Sequence, residues 1–213
     1  MTEDSDREAA CRQHVPTPYR RTRWKSPPVL YSPRTVLREL QPADVPSLSA
    51  LLGNQEVQRY LPPGPTTEEA FLRYIRWAQR SRRIGQHLSF GIVPHAFDTV
   101  VGVFQIWPLD SCFDTAEWGF ALGQPLWGTG LFNECAEAVL DFAMDTLGVR
   151  RLEARAAVEN GRGNGALQKL GAVREGMLRQ CFQCGDQPQD HFMWAILRDD
   201  WHRFRRTQGV GRR

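Results

Sequence analysis

The run from Thr115 to Gly148 constrains this chain more than any other segment, because its hydrophobic period changes once and glycines mark the change. In TAEWGFAL (Thr115–Leu122) Ala116, Trp118, Phe120 and Leu122 fall on one face and Glu117, Gly119 and Ala121 on the other, the alternation of a strand. From Leu131 onward apolar residues recur at helical spacing (Leu131, Cys135, Ala138, Val139, Phe142, Leu147), with Glu134, Glu137, Asp141 and Asp145 on the outer face and Gly148 as the stop. Between them lies GQPLWGTG (Gly123–Gly130). Gly128 and Gly130 let the backbone approach an anion closely, and the free N–H groups of the helix's first turn point at it. The segment lacks the Lys-Ser/Thr pair of a Walker A loop and the third glycine of GxGxxG. On its own it fits a plain strand-to-helix turn as well as a diphosphate cradle.

The flanking sequence supplies the rest of a sheet. Strands are predicted at Thr35–Leu40, His87–Val93, Val100–Trp107, Arg151–Val158, Ala172–Phe182 and Gln187–Leu197. Helices are predicted over Pro42–Leu52 and from Thr66, where Thr66-x-x-Glu69 matches a capping box; Phe71, Ile75 and Ala78 turn inward and Arg73, Arg76, Arg80 and Arg83 outward. A short helix follows the Asn160–Gly165 turn and ends at Gly171. This order indicates a mixed α/β (α+β) fold with a largely antiparallel twisted sheet and about four helices. The domain is expected over 35–201, between an extended or disordered arm (1–34) and a basic tail (202–213).

Charge sits at the ends. Residues 1–34 carry +3 and residues 198–213 carry +4, which leaves −4 for the middle of a chain whose formal total is +3. Solvated ends are the plain expectation, and a contact of these arginine-rich ends with RNA or the ribosome stays open. The acidic start, MTEDSDREAA, has no apolar signal segment, and the longest uncharged stretch is broken by glycines and a proline. A cytoplasmic location without membrane contact is expected. Five scattered cysteines read as reduced thiols, and Cys181-x-x-Cys184 has no second ligand pair to close a zinc site, so no metal is expected.

Taken in order, LRELQPADVPSLSALL, EVQRYL, AEWGFAL, PLWGTGLFNE, RRLEARAAVENGRGNGALQKLGAVREGMLR and WAILRDDW resemble the GNAT superfamily of N-acetyltransferases, and most of all its RimJ/RimL-like branch. The resemblance covers about residues 35–201 and implies a pair of parallel strands, Thr115–Leu122 and Arg151–Val158, that splay at the centre of the sheet. It implies acetyl-CoA as cosubstrate, with the pantetheine arm along Phe120, Ala121 and Leu122 and the diphosphate on Trp127, Gly128, Thr129, Gly130, Leu131 and Phe132. Asn160 matches the family asparagine that holds the pantetheine; Gly163, Asn164 and Lys169 wall the other side. Glu117 is the candidate general base, with Asp110, Asp114, Asp190 and His191 as secondary choices. The acceptor is expected between the Gly53–Pro65 loop and the Cys181–Asp190 hairpin, near Tyr60, Leu61, Trp107 and Asp190. The chain departs from the family pattern at Pro125, Phe132, Gly163 and Leu167, the last standing where many members carry a tyrosine acid. The expected activity is acetyl transfer from acetyl-CoA to a primary amine, either a protein N-terminus or a small molecule. A non-catalytic acyl-CoA-binding module of the same fold is the alternative, and a homodimer stays open.

Overall fold

The segments that alternate in the sequence are strands in the computed structural model, which describes residues 27–62, 64–184 and 187–210. They are β1 (Leu30–Tyr31), β2 (Thr35–Glu39), β3 (Leu88–Pro94), β4 (Gly102–Pro108), β5 (Thr115–Leu122), β6 (Arg151–Ala157), β7 (Val173–Cys184) and β8 (Gln187–Leu197). They form one sheet in the order β1-β2-β3-β4-β5-β6-β8-β7, in which every neighbouring pair is antiparallel except β5 and β6. Six α-helices accompany it: α1 (Val45–Gly53), α2 (Gln55–Gln58), α3 (Glu68–Arg83), α4 (Leu131–Asp141), α5 (Gly161–Lys169) and α6 (Arg198–Val210).

Two hydrophobic layers sandwich the sheet. Leu88, Phe90, Phe104, Trp118, Leu152 and Trp194 point to the face that α4, α5 and α6 cover. Val93, Val103 and Ala121 point the other way and meet Val45, Leu48, Phe71 and Ile75 of α1 and α3. The alternation in β5 therefore sorts its side chains between two cores, as the pleat requires. A Cβ on Gly91 would lie 2.8 Å from the Leu40 side chain and 2.9 Å from that of Val100, so this glycine lets the second layer close on the sheet.

Five local expectations are corrected. The cap of α3 is Thr67, whose hydroxyl accepts the Ala70 N–H at 3.2 Å; the helix therefore starts one residue later than the Thr66 capping box predicts. The Gly53–Pro65 loop contains α2, capped by the Asn54 side chain. Residues expected as the arm supply β1, which pairs with β2. Of the basic end expected as a tail from 202, residues 202–210 belong to α6, and 211–213 lie outside the described residues. Trp201 of α6 is 1% exposed and donates its indole N–H to Asp141, while Arg205 pairs with Glu137 and Asp141 and His202 bonds to Asp145. Glu137, Asp141 and Asp145, three of the four carboxylates read as a wet outer face, are thus the docking surface for the last helix. Trp201 and Phe204, three residues apart and stacked at 5.6 Å, were the signal that the arginines masked. Cys135 and Cys181 are free, but Cys112 is disulfide-bonded, contrary to the expectation of reduced thiols; positions in the sequence do not report which sulfurs the fold brings close. No helix among the described residues is long and apolar enough to cross a membrane.

Trp201→Ala should lower the unfolding free energy by about 3–5 kcal/mol, the range for emptying an aromatic core site. Denaturant titration checks this, and a loss below about 1 kcal/mol would show that α6 is not part of the core.

Candidate active site

β5 and β6 share only three register positions, Thr115↔Arg151, Ala116↔Leu152 and Glu117↔Glu153. Beyond Glu117, β5 stays paired to β4 as far as Leu122, and β6 stays paired to β8 as far as Ala157. Their facing edges separate, and side chains hold the gap. The Asn164 amide donates to the carbonyls of Ala157 at 2.8 Å and Asn160 at 2.9 Å, and the Trp127 indole N–H donates to the Leu122 carbonyl at 2.7 Å. Buried backbone groups need such partners, and here the partners themselves keep the strands apart.

The gap opens into a cleft of about 390 Å³. Phe120, Ala121 and Leu122 form one wall, Trp127, Gly128, Gly130 and Phe132 the mouth, and Gly163 and Lys169 of α5 the opposite side; Leu61 closes it from above. Gly128 and Gly130 have φ of +75° and +81°, the left-handed region that glycine enters without strain. Gly130 begins α4 without a side-chain cap, so the first-turn N–H groups face the mouth with the positive end of the helix dipole behind them. Phe132, a departure from the family pattern, packs on Phe120 with ring centroids 4.6 Å apart and makes the floor aromatic. Leu131 and Thr129 do not line the cleft: the Leu131 side chain is buried in the core, and Thr129 donates its hydroxyl to the Leu126 carbonyl.

Two cations at this end were missed by the sequence reading. Arg162, lining the cleft, lies over the Trp127 ring with its Cζ 4.2 Å from the centroid. Arg34 donates to both oxygens of Glu134 at 3.0 Å and to the Thr129 carbonyl at 3.1 Å, tying the start of β2 to the glycine loop. No local pattern marks Arg34, which stands at the end of the segment expected as an arm.

Glu117 lies where the strands part and is 7% exposed. Burial pushes its carboxyl up, against the Arg155 guanidinium at 3.0 Å and a hydrogen bond from Trp107, both of which pull it down; neighbouring Glu153 adds to the rise. Arg155 was also missed, although alternation along β6 puts it on the face of Glu117. The other predicted acids are engaged elsewhere. Asp110 accepts the backbone N–H groups of Cys112, Asp114 and Thr115, Asp114 pairs with Arg150, and Asp190 accepts the Gln180 N–H at 2.7 Å.

Asn160 is the N-cap of α5, its side chain accepting the Gly163 N–H at 2.8 Å, and a Cβ on Gly163 would come within 2.7 Å of it. Asn164, expected to face the cofactor, instead spends its amide on β6 and accepts the Trp194 indole at 2.9 Å. Tyr60 donates to the Glu159 carbonyl at 3.2 Å, which closes α2 over the end of β6. Leu167 is buried in the core, so α5 presents no hydroxyl acid there. His191 is buried against Phe182, its pKa lowered first by burial and then by Arg155, and it does not line the cleft. Among the described residues there is no cluster of metal-ligating side chains.

A cleft between diverging parallel strands, with a glycine loop and helix terminus at its mouth, invites comparison with known proteins. Residues 34–173 match the acetyltransferase (GNAT) domain. The chain is 27% identical over 173 residues to the N-acetyltransferase p20 of Bacillus licheniformis, covering 81% of this chain and 97% of that protein. It is 25% identical to the [ribosomal protein uS5]-alanine N-acetyltransferase of Escherichia coli, over 68% of this chain and 79% of that protein. In fold it is similar to Mycobacterium smegmatis RimJ in complex with CoA-disulfide, with a TM-score of 0.75 and 20% identity over 85% of this chain and 95% of the other. With the splayed strands and the matched domain together, this chain belongs to the GNAT acetyltransferase family, with neighbours in its RimJ/RimL-like branch.

Proposed function

We propose that this protein transfers an acetyl group from acetyl-CoA to a primary amine, with the cofactor in the β5–β6 cleft and Glu117 as the base. The observation that carries this is the chemical difference between the two ends of one strand. At the Leu122 end of β5 stand the α4 N-terminus, Arg162 and Lys169, a setting for phosphate oxygens. At the other end stands the buried carboxylate of Glu117. Five residues of strand separate them, about 17 Å. The β5 edge between them offers unpaired amides and carbonyls, to which an extended pantetheine arm adds like a strand.

Bound there, an acetyl thioester supplies the electrophilic carbonyl carbon and the leaving sulfur. Glu117 takes one proton from the acceptor ammonium, and the freed nitrogen lone pair forms the N–C bond. A strand amide between Phe120 and Leu122 holds the developing oxyanion. The C–S bond then breaks with its electron pair on sulfur. Of the two protons the ammonium loses, one returns from Glu117 through water to the thiolate and the other goes to solvent. A thiol with a pKa near 8.5 leaves without a dedicated acid, which reconciles catalysis with the buried Leu167.

The base matters because an α-amine with a pKa near 7.8 is only about 14% neutral at pH 7, and a lysine-like amine about 0.04%. Burial equips Glu117 for this role by raising its pKa towards the working range of a general base. Both a protein N-terminus and a small amine meet these requirements. The ribosomal-protein N-acetyltransferases among the relatives favour the first.

Glu117→Gln should lower turnover by about 10²–10⁴-fold while leaving CoA affinity within about twofold, with partial recovery at high pH where the amine is already neutral. Steady-state rates across pH 6–9 check this; wild-type rates throughout would reduce Glu117 to a structural carboxylate. CoA should raise the melting temperature of the wild type, since it binds only the folded state. Gly128→Asp should abolish that shift without unfolding the protein, because aspartate tolerates the left-handed backbone but sets a negative charge where the phosphates belong. An unchanged shift would place the phosphates elsewhere.

A further inference from the structure

Glu117 and Glu153 stand side by side on neighbouring strands at the last paired position before β5 and β6 part. Like charges so placed repel, and a sheet accepts them only with compensation nearby. The compensation is arranged asymmetrically. Arg155 binds Glu117 at 3.0 Å. Arg151 binds Glu153 at 2.7 Å and also takes Glu175 of β7 at 2.6 Å. Three carboxylates thus share two guanidiniums, and the cluster keeps one negative charge in excess. Pairing Glu153 with Arg151 alone would balance it; the additional Glu175 draws on the same guanidinium and leaves Glu153 only partly neutralised.

Among the described residues, the other groups facing Glu117 supply no third cation. Trp107 from β4 gives Glu117 a hydrogen bond without charge, and Tyr74 from α3 is occupied with Ser89 and Gln105. His87, just before β3, is held neutral by burial, with a pKa of about 4. On β8, His191 faces the Arg155 charge and its pKa is lowered, while Asp190 acts on it in the opposite sense. The excess negative charge lies at the apex of the gap, beside the base.

We propose that Glu153 is a positioning residue that forms a carboxylate dyad with Glu117, drawing the acceptor's ammonium to the apex of the splay and keeping Glu117 a strong enough base to take its proton. This rests on Glu117 being the base. Two forces act on that carboxylate from the same strand and oppose each other: Glu153 favours its protonated form and Arg155 its ionised form. The dyad resembles paired carboxylates elsewhere whose environments set one of them for proton transfer, but here a parallel-strand register places the two groups.

The test is the pH profile of kcat/KM in paired variants of the full chain, with one peptide amine and acetyl-CoA as substrates. Glu153→Gln removes the repelling charge, so Glu117 ionises more readily and the acid limb should move down by about one pH unit. KM for the ammonium substrate should rise several-fold while CoA affinity stays unchanged. Arg155→Gln should move the same limb up, and the double variant should return it close to wild type. Glu175→Gln frees Arg151 to neutralise Glu153 more fully but leaves Glu153 in place, so its limb should move down by clearly less than in Glu153→Gln. Opposite shifts for Glu153→Gln and Arg155→Gln establish the dyad. An unmoved limb in Glu153→Gln overturns it, as does an equal downward shift in Glu175→Gln, which would mean that any lost negative charge has the same effect. Should Glu117→Gln itself keep wild-type rates, the base assignment fails instead. Should Glu153→Gln lose its fold, Glu153→Asp, which retains the charge, is expected to fold and keep the wild-type limb, and a limb that moves down in it also overturns the proposal.

Discussion

Everything functional in this molecule depends on two strands that begin side by side and then separate. β5 and β6 each have one edge satisfied by an antiparallel neighbour, so neither needs the other beyond Glu117. An open gap in a sheet would normally expose unpaired backbone to a buried environment at a cost of about 1–3 kcal/mol per group. Here Asn164 and Trp127 satisfy carbonyls on the two sides, and α5 and the glycine loop are wedged between them. The cleft is a built feature of the sheet, with its own hydrogen bonds.

The same geometry sorts charge along the gap. Its mouth collects N–H groups and arginine or lysine side chains, which suit phosphate, and its apex collects carboxylates, which suit an ammonium. A thioester lying between them would have its anionic end and its reacting end met by opposite chemistries. Arg34 adds a mechanical link, since it holds the glycine loop to β2 through Glu134 and Thr129. Loop geometry, and with it the position of the helix N-terminus, is therefore coupled to β2.

How much of this could be read in the sequence depended on whether a residue acts through its own strand or through a distant one. The β5 alternation, the glycine turn and the α4 stripe each carry a local period, and the fold class followed from them. Gly128, Gly130, Phe132 and Lys169 were placed at the cleft because they sit in or beside those periodic elements. Arg34 and Arg155 escaped because their partners, Glu134 and Glu117, are brought to them by the packing of elements far apart in the chain. Asn164 was misread for the same reason: its position on α5 was right, but the carbonyls of β6 and the indole of Trp194 claim its amide. α6 was hidden by composition, since its arginines look like a solvated end until the carboxylates of α4 are seen to face them.

The most direct test of the splayed-strand account is amide hydrogen exchange with and without CoA. If the pantetheine arm pairs with the β5 edge and the diphosphate sits on the α4 N-terminus, CoA should slow exchange within 119–122 and 131–133. The outer edge of the sheet at β7 should be unaffected. Protection confined to other segments, with 119–122 exchanging at the same rate in both states, would contradict the claim that this gap is where the cofactor lies.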